Sequence, residues 1–202
     1  LLRAIPMRMD LERMTKDIVA KRNTLQPGDW ILAATRALAE GGVDAVSVEG
    51  IAKQLGVSKG SFYWHFADRR ALLDAVFDLW EREGTADLIE RARNAADPVE
   101  GLRRLTQDTL DAETNGIDVA QTEAAIRAWA SRDPVIGARF AKVENDRTAF
   151  LADQIVAIGY DPITALQMSK IMHLTVIGLF AARASGSTLA EDATLTFIVE
   201  RL

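Results

Sequence analysis

Residues 56–66 read GVSKGSFYWHF and hold four aromatic rings and a histidine in five consecutive positions, directly after a small, polar stretch. Because a helix turns by about 100° per residue, these side chains divide between two sides of a helix. We expect Phe62 and Phe66, which share one side, to pack in the core. The outward side then holds Lys59, Gly60, Tyr63 and Trp64, with Ser61 and His65 on its flank. The run therefore predicts a short helix with a buried anchor and an exposed aromatic surface.

This run contains the second of two short predicted helices that are joined by a tight turn. The pattern predicts helices over 47–54 and 58–64, and Gly56 between them permits a left-handed turn. Ser58 is in position to cap the second helix. Two short helices separated by a glycine turn are typical of a helix-turn-helix, so we expect residues 27–83 to form such a domain.

The outward side of the second helix has the chemistry to contact the DNA major groove. Lysine can reach guanine or phosphate acceptors, serine and tyrosine hydroxyls donate to phosphate, and ring faces contact thymine methyl groups or sugars. Two alternatives concern single residues: Trp64 covers the domain interior, or His65 acts as a capping residue. The candidate DNA-contacting residues are Ser47, Ser58, Lys59, Gly60, Ser61, Tyr63, Trp64, His65 and Arg69.

Residues 30–80 resemble the DNA-binding domain of the TetR family of transcriptional regulators. The motifs that carry the resemblance are SVEGIAKQLGVSKGSFYWHF (47–66) and, after a charged turn, ALL (71–73). The resemblance implies a dimeric, all-helical repressor that binds a palindromic DNA operator and is released by a small-molecule effector, which we expect to be apolar. It also implies that Arg69 occupies the position of a phosphate-binding residue, while the neighbouring Asp68 and Glu49 on the preceding helix oppose phosphate contact.

The composition limits the classes of function and location. The chain has 202 residues, of which 49% are hydrophobic and 26% charged, and it has no cysteine, which excludes disulfides and thiol chemistry. Two histidines do not favour a histidine-rich metal site. The longest apolar run, 171–182, is shorter than the ~20 residues of a membrane span, and no signal-peptide pattern precedes it. We therefore expect a cytoplasmic protein with no membrane segment, cofactor or metal.

The net charge of −5 is unevenly distributed along the chain. Residues 1–26 contain six basic and three acidic residues, whereas residues 27–83 contain six basic and nine acidic ones. Any DNA contact must therefore come from a local surface and not from the overall field. The basic residues of the first segment form either an arm that reaches DNA or a solvated leader. They are Arg3, Arg8, Arg13, Lys16, Lys21 and Arg22.

The positions of proline, aspartate and glycine predict an all-α chain. Asp-Pro pairs at 97–98, 133–134 and 161–162 are typical of helix starts. The other predicted helices cover 27–40, 69–90, 98–114, 118–130, 134–158, 162–184 and 188–202, the last with Thr188 and Glu191 in capping-box spacing. We expect a basic N-terminal extension (1–26), the helix-turn-helix domain (27–83) and a ligand-binding and dimerisation domain (84–202).

Residues 84–202 contain no phosphate loop, nucleophile motif or metal-ligand spacing. A small-molecule site is usually an apolar cavity with a few polar groups. The candidate lining residues are Trp80, Ile126, Trp129, Phe140, Phe150, Met168, Met172, His173 and Thr175. Ordinary core packing is the alternative for the methionines and for His173. Arg127 and Asp133 either orient a polar ligand or lie on the solvated surface.

The helix predicted over 162–184 is apolar on more than one face, and the last helix adds further apolar residues, so the two indicate a homodimer built on a four-helix bundle. An intramolecular core helix is the alternative. Two other interpretations concern the whole chain: an all-α enzyme whose acid–base pair lies among its carboxylates, or a helical adaptor that binds protein through the exposed tryptophan and tyrosine. Neither requires an aromatic and basic helix after LGVS, and this helix therefore favours the DNA-binding regulator.

Overall fold

Helices make up nearly all of the computed structural model, which describes residues 25–110, 113–189, 191 and 193–201. The first group contains α1 (Pro27–Gly41), a 3-10 turn (Val43–Ala45), α2 (Val48–Gln54), α3 (Lys59–Phe62) and α4 (Arg69–Glu81). The second group contains a π-helical segment (Arg82–Ala86), α5 (Asp87–Arg93), α6 (Pro98–Leu110), α7 (Val119–Ala130), α8 (Pro134–Ala157), α9 (Pro162–Ala184) and α10 (Ala193–Val199). The predicted all-α class is confirmed.

Aspartate side chains cap five of the described helices, including the three for which Asp-Pro pairs predicted a start. Asp133 Oδ1 accepts hydrogen bonds from the first free N–H groups of α8 at 3.0 and 3.2 Å, and Asp161 does the same for α9. Asp97 Oδ1 accepts from Glu100 N at 2.8 Å at the start of α6. Each of these bonds satisfies a donor that the helix itself leaves without a partner.

The helix predicted over 98–114 ends early, at Leu110. A small antiparallel hairpin follows, with strands β1 (Glu113–Thr114) and β2 (Ile117–Asp118). Asn115 and Gly116 connect the strands with φ angles of 55° and 69°. Asn-Gly is the strongest sequence signal for a two-residue hairpin turn, and the expectation of helix throughout overlooked it.

Two other predicted helices differ in extent from the structure. The helix predicted over 69–90 contains the π-helical segment and continues to Arg93. The last helix spans Ala193–Val199 and not 188–202, because the chain turns at Thr188 and Leu189. Ser187 Oγ accepts from Leu189 N at 3.2 Å, so this serine closes a turn where a cap at Thr188 was predicted.

One continuous core joins the predicted N-terminal domain to the helices that follow it. It begins with Trp30, Leu38 and Phe62 and continues through Trp80 to Phe140. A second cluster lies between α6, α8, α9 and α10. The core therefore passes through the predicted boundary between residues 83 and 84 without a break.

Helices α5 and α6 approach each other closely at Gly101. A Cβ atom at this position would lie 2.8 Å from the carbonyl oxygen of Ala92, a backbone atom that cannot move away as a flexible side chain would. Gly28, in the first turn of α1, has no such neighbour within 4 Å.

We expect Gly101→Ala to lower the free energy of unfolding by about 1–3 kcal/mol, because the added methyl group forces α5 and α6 apart. Gly28→Ala is the matched control and should leave it unchanged or raise it by up to about 1 kcal/mol, because a methyl group there meets no neighbour. Urea denaturation followed by circular dichroism measures both. Equal unfolding midpoints for the two variants would contradict the close approach.

Candidate nucleic-acid interface and internal cavity

Phe62 anchors α3 to the core. Its side chain is completely buried and meets Trp30 edge-on, with ring centroids 5.4 Å apart. Phe66 stacks on Phe62 with ring centroids 5.5 Å apart and is partly buried. Full burial of one phenylalanine contributes about 2–3 kcal/mol, so this contact fixes the side that α3 turns inward.

The helix predicted over 58–64 spans only Lys59–Phe62, and Tyr63 and Trp64 lie in the turn that follows it. Both side chains point away from the core, as predicted. The exposed fraction is 57% for Tyr63 and 88% for Trp64. Trp64 therefore does not cover the domain interior. A tryptophan with so little packing within its own chain is available for contact with another molecule.

The serines and His65 surround this aromatic pair. Ser47 Oγ accepts from Gly50 N at 3.1 Å and caps α2, which leaves its hydroxyl hydrogen free to donate. Ser58 occupies the N-cap position of α3, but its side chain makes no capping hydrogen bond, contrary to expectation. Ser61 and His65 are half-buried on the flank of α3.

Lys59 forms an ion pair with Glu49 of the preceding helix, with 2.7 Å between Nζ and Oε1. The hydrogen bond and charge of each partner raise the pKa of Lys59 and lower that of Glu49. Both side chains are largely exposed, so water screens the pair. Lys59 can therefore change partner without a large loss.

Arg69 is turned toward its own domain. Its guanidinium donates to the carbonyl oxygens of Val43 and Val46 and so ties the start of α4 to the 3-10 turn before α2. These bonds give Arg69 a structural role that its sequence position does not reveal. They also occupy donors that the resemblance assigns to phosphate.

Gly60 lies on the outward side of α3, next to Lys59. A Cβ atom there would come no closer than 3.7 Å to Ser58 Oγ, an ordinary contact, and its φ angle is not in the left-handed region. Nothing within the described chain requires glycine at this position. The space above it is open to an approaching molecule.

A cavity of about 440 Å³ lies between α4–α5, α6, α7, α8 and α9. Its volume is within the range of drug-sized ligand sites. Four predicted ligand residues line it: Trp80, Phe150, Met172 and His173. Five others do not: Ile126, Trp129, Phe140, Met168 and Thr175.

Packing explains where those five residues lie. Ile126, Trp129 and Phe140 fill the continuous core, where Phe140 stacks on Trp80 at 5.5 Å. Trp129 also lines a smaller cavity of about 310 Å³ beside α4. Met168 packs in the second core cluster, and Thr175 donates its hydroxyl to the Ile171 carbonyl within α9.

A buried polar cluster forms one wall of the large cavity, and sequence reasoning missed its centre, Glu123. This carboxylate is 5% exposed and accepts from Trp80 Nε1 at 3.0 Å and from Arg147 Nη1 at 3.2 Å. Arg147 also donates to Thr85 Oγ1 at 2.8 Å. Glu123 lies on the same helix face as Ile126, so a carboxylate on an apolar face was the available signal.

Arg127 and Asp133 do not line the large cavity. Arg127 bridges Glu123 and Glu144 behind the polar wall, at 3.3 and 2.8 Å. Asp133 caps α8 and accepts from Arg70 of α4 at 2.7 Å. Hydrogen bonds from the start of α8 and from Arg70 lower the pKa of Asp133. Both residues hold helices together.

His173 lies on the cavity wall with a nearly buried side chain. Its Nε2 is 3.6 Å from Glu144 Oε1 and has no hydrogen-bond partner. Burial and the charge of Arg147 lower the pKa of His173, while Glu144 and Glu123 act in the opposite direction. The lowered pKa keeps the imidazole neutral at pH 7.

Helix α9 presents an exposed apolar stripe on one face. The exposed fraction is 76% for Ile163, 57% for Ile171 and 65% for Leu174, and Gly178 and Ala181 follow at helical spacing. By length and composition alone α9 would also suffice to cross a membrane, a criterion that helices of soluble proteins meet as well. In the described part of the chain, no three His, Asp or Glu side chains gather as a possible metal site.

The family described as "Bacterial regulatory proteins, tetR family" matches residues 31–76. The tetracycline repressor protein class A from transposon 1721 of Escherichia coli is 41% identical over 68 residues, 34% of this chain and 32% of that protein. The HTH-type transcriptional regulator TtgR of Pseudomonas putida is 34% identical over 96 residues, 44% of this chain and 45% of that protein. These matches thus span less than half of each relative.

Solved structures resemble most of the chain. A putative transcriptional regulator from Saccharomonospora viridis, solved in complex with choline, has a TM-score of 0.74 at 17% identity and covers 87% of this chain and 93% of its own. A TetR transcriptional regulator from Legionella pneumophila has a TM-score of 0.71 at 19% identity, with 86% and 95% covered. At these identities the likeness concerns the fold.

We expect the stability of the protein to fall as the pH drops below the ordinary pKa of histidine, about 6.5. Because the pKa of His173 is lowered in the folded state, the unfolded chain takes up a proton at a pH where the folded chain does not. The stabilisation is complete above pH 6.5 and is lost as the pH falls toward the native pKa.

Urea denaturation at pH 7, 6 and 5 measures this effect. The free energy of unfolding should decrease more steeply for the wild-type protein than for His173→Gln, which cannot titrate at this position. Parallel curves for the two proteins would mean that His173 does not contribute.

Proposed function

This chain belongs to the TetR family of bacterial regulatory proteins through residues 31–76, and from that premise we propose that it is a transcriptional repressor. It binds a palindromic DNA operator as a homodimer and is released by a small-molecule effector. The relatives that it matches are transcriptional regulators and not enzymes, and this supports a regulatory role. The observation that carries the proposal is that burial of Phe62 directs Tyr63 and Trp64, on the outward side of α3, toward the solvent.

The DNA-contacting surface is formed by Ser47, Ser58, Lys59, Gly60, Ser61, Tyr63, Trp64 and His65. The exposure of Tyr63 and Trp64 supports this assignment, because both rings lie where they can meet sugars or thymine methyl groups. The open space above Gly60 supports it too, since a backbone without a side chain can approach the duplex closely. Arg69 contributes by holding the turn before α2, in addition to any phosphate contact.

Lys59 exchanges Glu49 for a DNA acceptor when the protein binds. The pair is exposed, so the exchange costs little, and a free lysine then reaches guanine or phosphate. Glu49 is left near the duplex, where a carboxylate can accept from cytosine N4 but is repelled by phosphate. This exchange makes the ion pair a determinant of operator choice.

The large cavity is the effector site. It has the size of a small-molecule pocket and mixes apolar side chains with the polar wall around Glu123. One structural neighbour was solved with choline, and one relative is a tetracycline repressor, which supports small-molecule control in general. Helix α4 connects the two sites, because Arg69 begins it and Trp80 lies near its end. A ligand that moves the cavity wall thereby moves the DNA-contacting helices.

The homodimer forms through the exposed stripe of α9, with α10 beside it. Ile163, Ile171 and Leu174 lie within about 80° of each other around the helix, and Gly178 allows a partner helix to approach. Phe197 on α10 adds an exposed ring. Two copies of this pair form a four-helix bundle around a two-fold axis.

Three further assignments stay proposals. The chain acts in the cytoplasm, as a regulator of DNA must in a bacterium. Residues 27–83 bind DNA, and residues 84–202 bind the effector and the second subunit. The proposed basic arm, with Arg3, Arg8, Arg13, Lys16, Lys21 and Arg22, lies outside the described residues.

Selection of bound DNA from a random library tests the proposal and identifies the operator. On that operator we expect Lys59→Ala and Tyr63→Ala to lower the affinity about tenfold, and Lys59→Ala to reduce the salt slope of binding by about one. Lys142→Ala is the matched control, because this lysine also forms an exposed ion pair, with Asp146 on α8, and is not among the proposed DNA-contacting residues. Failure to select any sequence, or unchanged affinity in both variants, would contradict the proposal.

Gly60→Ala separates DNA contact from folding. Alanine in place of a helical glycine should raise the free energy of unfolding by about 0.5–1 kcal/mol, since it meets no steric obstacle. The same methyl group should weaken operator binding in a mobility-shift assay. A variant that is more stable and binds DNA normally would show that the duplex does not approach this position.

We expect Leu174→Glu to convert the dimer to a monomer, because it places a charge in the centre of the apolar stripe. Light scattering at micromolar concentration measures the mass. Val135→Glu, at an exposed apolar residue near the start of α8, should leave the dimer intact. A wild-type monomer, or a dimeric Leu174→Glu variant, would exclude this interface.

A further inference from the structure

The threonine hydroxyls on the lining of the large cavity differ in whether the chain supplies them with a partner. Thr35 of α1 and Thr122 of α7 donate to the carbonyl oxygens four residues earlier, at 2.8 and 2.7 Å. Thr85, in the π-helical segment, accepts from Arg147 Nε at 2.8 Å. The hydroxyls of these three residues thus already take part in hydrogen bonds within the chain.

Thr106 of α6 lies on the same lining without such a bond. Its exposed fraction is only 8%, yet its side chain has no hydrogen-bond partner among the described residues. In a helix, one common threonine rotamer returns the hydroxyl to the carbonyl oxygen three or four residues earlier. The Thr106 hydroxyl does not form this bond, and it is therefore left for another molecule.

The Thr106 hydroxyl is open to the cavity and is not sealed in the core. Two side-chain atoms in the described part of the chain are closed off from solvent without a partner, Trp30 Nε1 and His173 Nε2. The Thr106 hydroxyl is not one of them, so it keeps accessible surface, and on a residue of the cavity wall this surface faces the cavity. Because a hydroxyl without a partner forgoes the free energy of a hydrogen bond, an acceptor placed in the cavity stabilises it.

Thr109 extends this polar surface along α6. It follows Thr106 by three residues, so the two side chains share a face of the helix. Thr109 is half-buried on the cavity lining, and its hydroxyl also has no partner among the described residues. The neighbouring lining is apolar, with Leu105 on α6 and Phe180 on α9. The α6 side of the cavity therefore combines free hydroxyl donors with a hydrocarbon surface.

An anionic group would meet competition on this wall. Asp108 lies between the two threonines in sequence and already accepts from Arg91 Nε at 2.7 Å. The other arginine of the lining, Arg147, donates to Glu123 at 3.2 Å. A ligand carboxylate would have to take one of these cations from a carboxylate of the chain, whereas an uncharged oxygen needs only the free hydroxyl. The wall therefore favours a neutral acceptor.

We propose that Thr106 is a ligand-binding residue, whose hydroxyl donates to an uncharged carbonyl oxygen of the effector while the apolar body of the effector fills the cavity toward Met172 and Phe180. This inference rests on the proposed role of the cavity as the effector site. It narrows the effector from any small apolar molecule to an uncharged one with a carbonyl group.

Three probes of nearly the same planar shape test the class of ligand: acetophenone, α-methylstyrene and benzoate. The first has a carbonyl oxygen where the second has a methylene group, and the third has a carboxylate. Isothermal titration calorimetry with the DNA-free protein at pH 7.5 should show binding of acetophenone, with benzoate weaker by about tenfold or more. Equal or tighter binding of benzoate overturns the proposal. So does the absence of acetophenone binding at millimolar concentration.

Thr106→Val identifies the donor, because valine keeps the shape of threonine and lacks the hydroxyl. It should weaken acetophenone binding about fivefold, the effect of one lost hydrogen bond, and leave α-methylstyrene unchanged. Thr106→Ser keeps the hydroxyl and should retain the wild-type ratio of the two affinities. A ratio that Thr106→Val does not change would overturn the assignment.

Thr122→Val is the matched control. It removes a hydroxyl from the lining of the same cavity, but one that already donates to a carbonyl oxygen of its own helix. The ratio of acetophenone to α-methylstyrene affinity should therefore stay at the wild-type value. An equal change of this ratio in Thr122→Val and Thr106→Val would show that Thr106 has no particular role.

Urea denaturation without any probe distinguishes a ligand-binding hydroxyl from a structural one. Thr106→Val should leave the unfolding midpoint unchanged or raise it, since no bond within the chain is lost. Thr122→Val should lower the midpoint, because it removes a hydrogen bond of α7. A lower midpoint for Thr106→Val would show that the chain uses this hydroxyl and would overturn the proposal.

The DNA experiment is separate from these. Operator binding is measured without any probe, so its failure would reject the repressor and leave the cavity chemistry intact. Preference for benzoate, or an unchanged affinity ratio in Thr106→Val, would reject the carbonyl subsite and leave operator binding intact.

Discussion

The contact between Phe62 and Trp30 is the constraint on which the DNA-contacting surface depends. Helix α3 has only four residues, too few to be stable alone, so burial of one ring must hold it. Because Phe62 is buried, the geometry of a helical turn directs the side chains of Tyr63 and Trp64 toward the solvent.

The same core continues from this anchor to the cavity. Phe77 meets Trp80 edge-on at 5.1 Å and Trp129 at 6.2 Å, and Trp80 stacks on Phe140. Helix α4 has 13 residues and is therefore about 20 Å long. Arg69, its first residue, holds the turn before α2, and Trp80, near its end, donates to Glu123 of the polar wall. Close-packed interiors transmit displacement, so a rigid helix of this kind is suited to connect two distant sites.

The polar wall combines stability with recognition. Glu123 is buried, yet its three donors come from two helices and from Trp80, so the cluster is satisfied within the chain. Glu83 lies on the same cavity lining, where Asn115 of the hairpin donates to its Oε2 at 3.3 Å.

How much the sequence predicted depends on the range of the interactions involved. The two sides of α3, the Asp-Pro helix starts and the turn at Gly56 follow from neighbours a few residues apart, and they were predicted correctly. The hairpin turn at Asn115 and Gly116 was not. Met168 and Met172 show the limit, since they share one face of α9 but only Met172 meets the cavity. The helices that pack against α9 decide this difference, and no local pattern contains it.

The amino-acid sequence alone determined the helical class, the helix-turn-helix and the direction in which its aromatic residues point, because these features depend on helical periodicity and on local capping bonds. Only the tertiary structure decided that Arg69 fastens its own domain and that Glu123, Arg147 and His173 meet at one wall. Those features arise where separate helices converge, and the distances between them are a property of the packed chain.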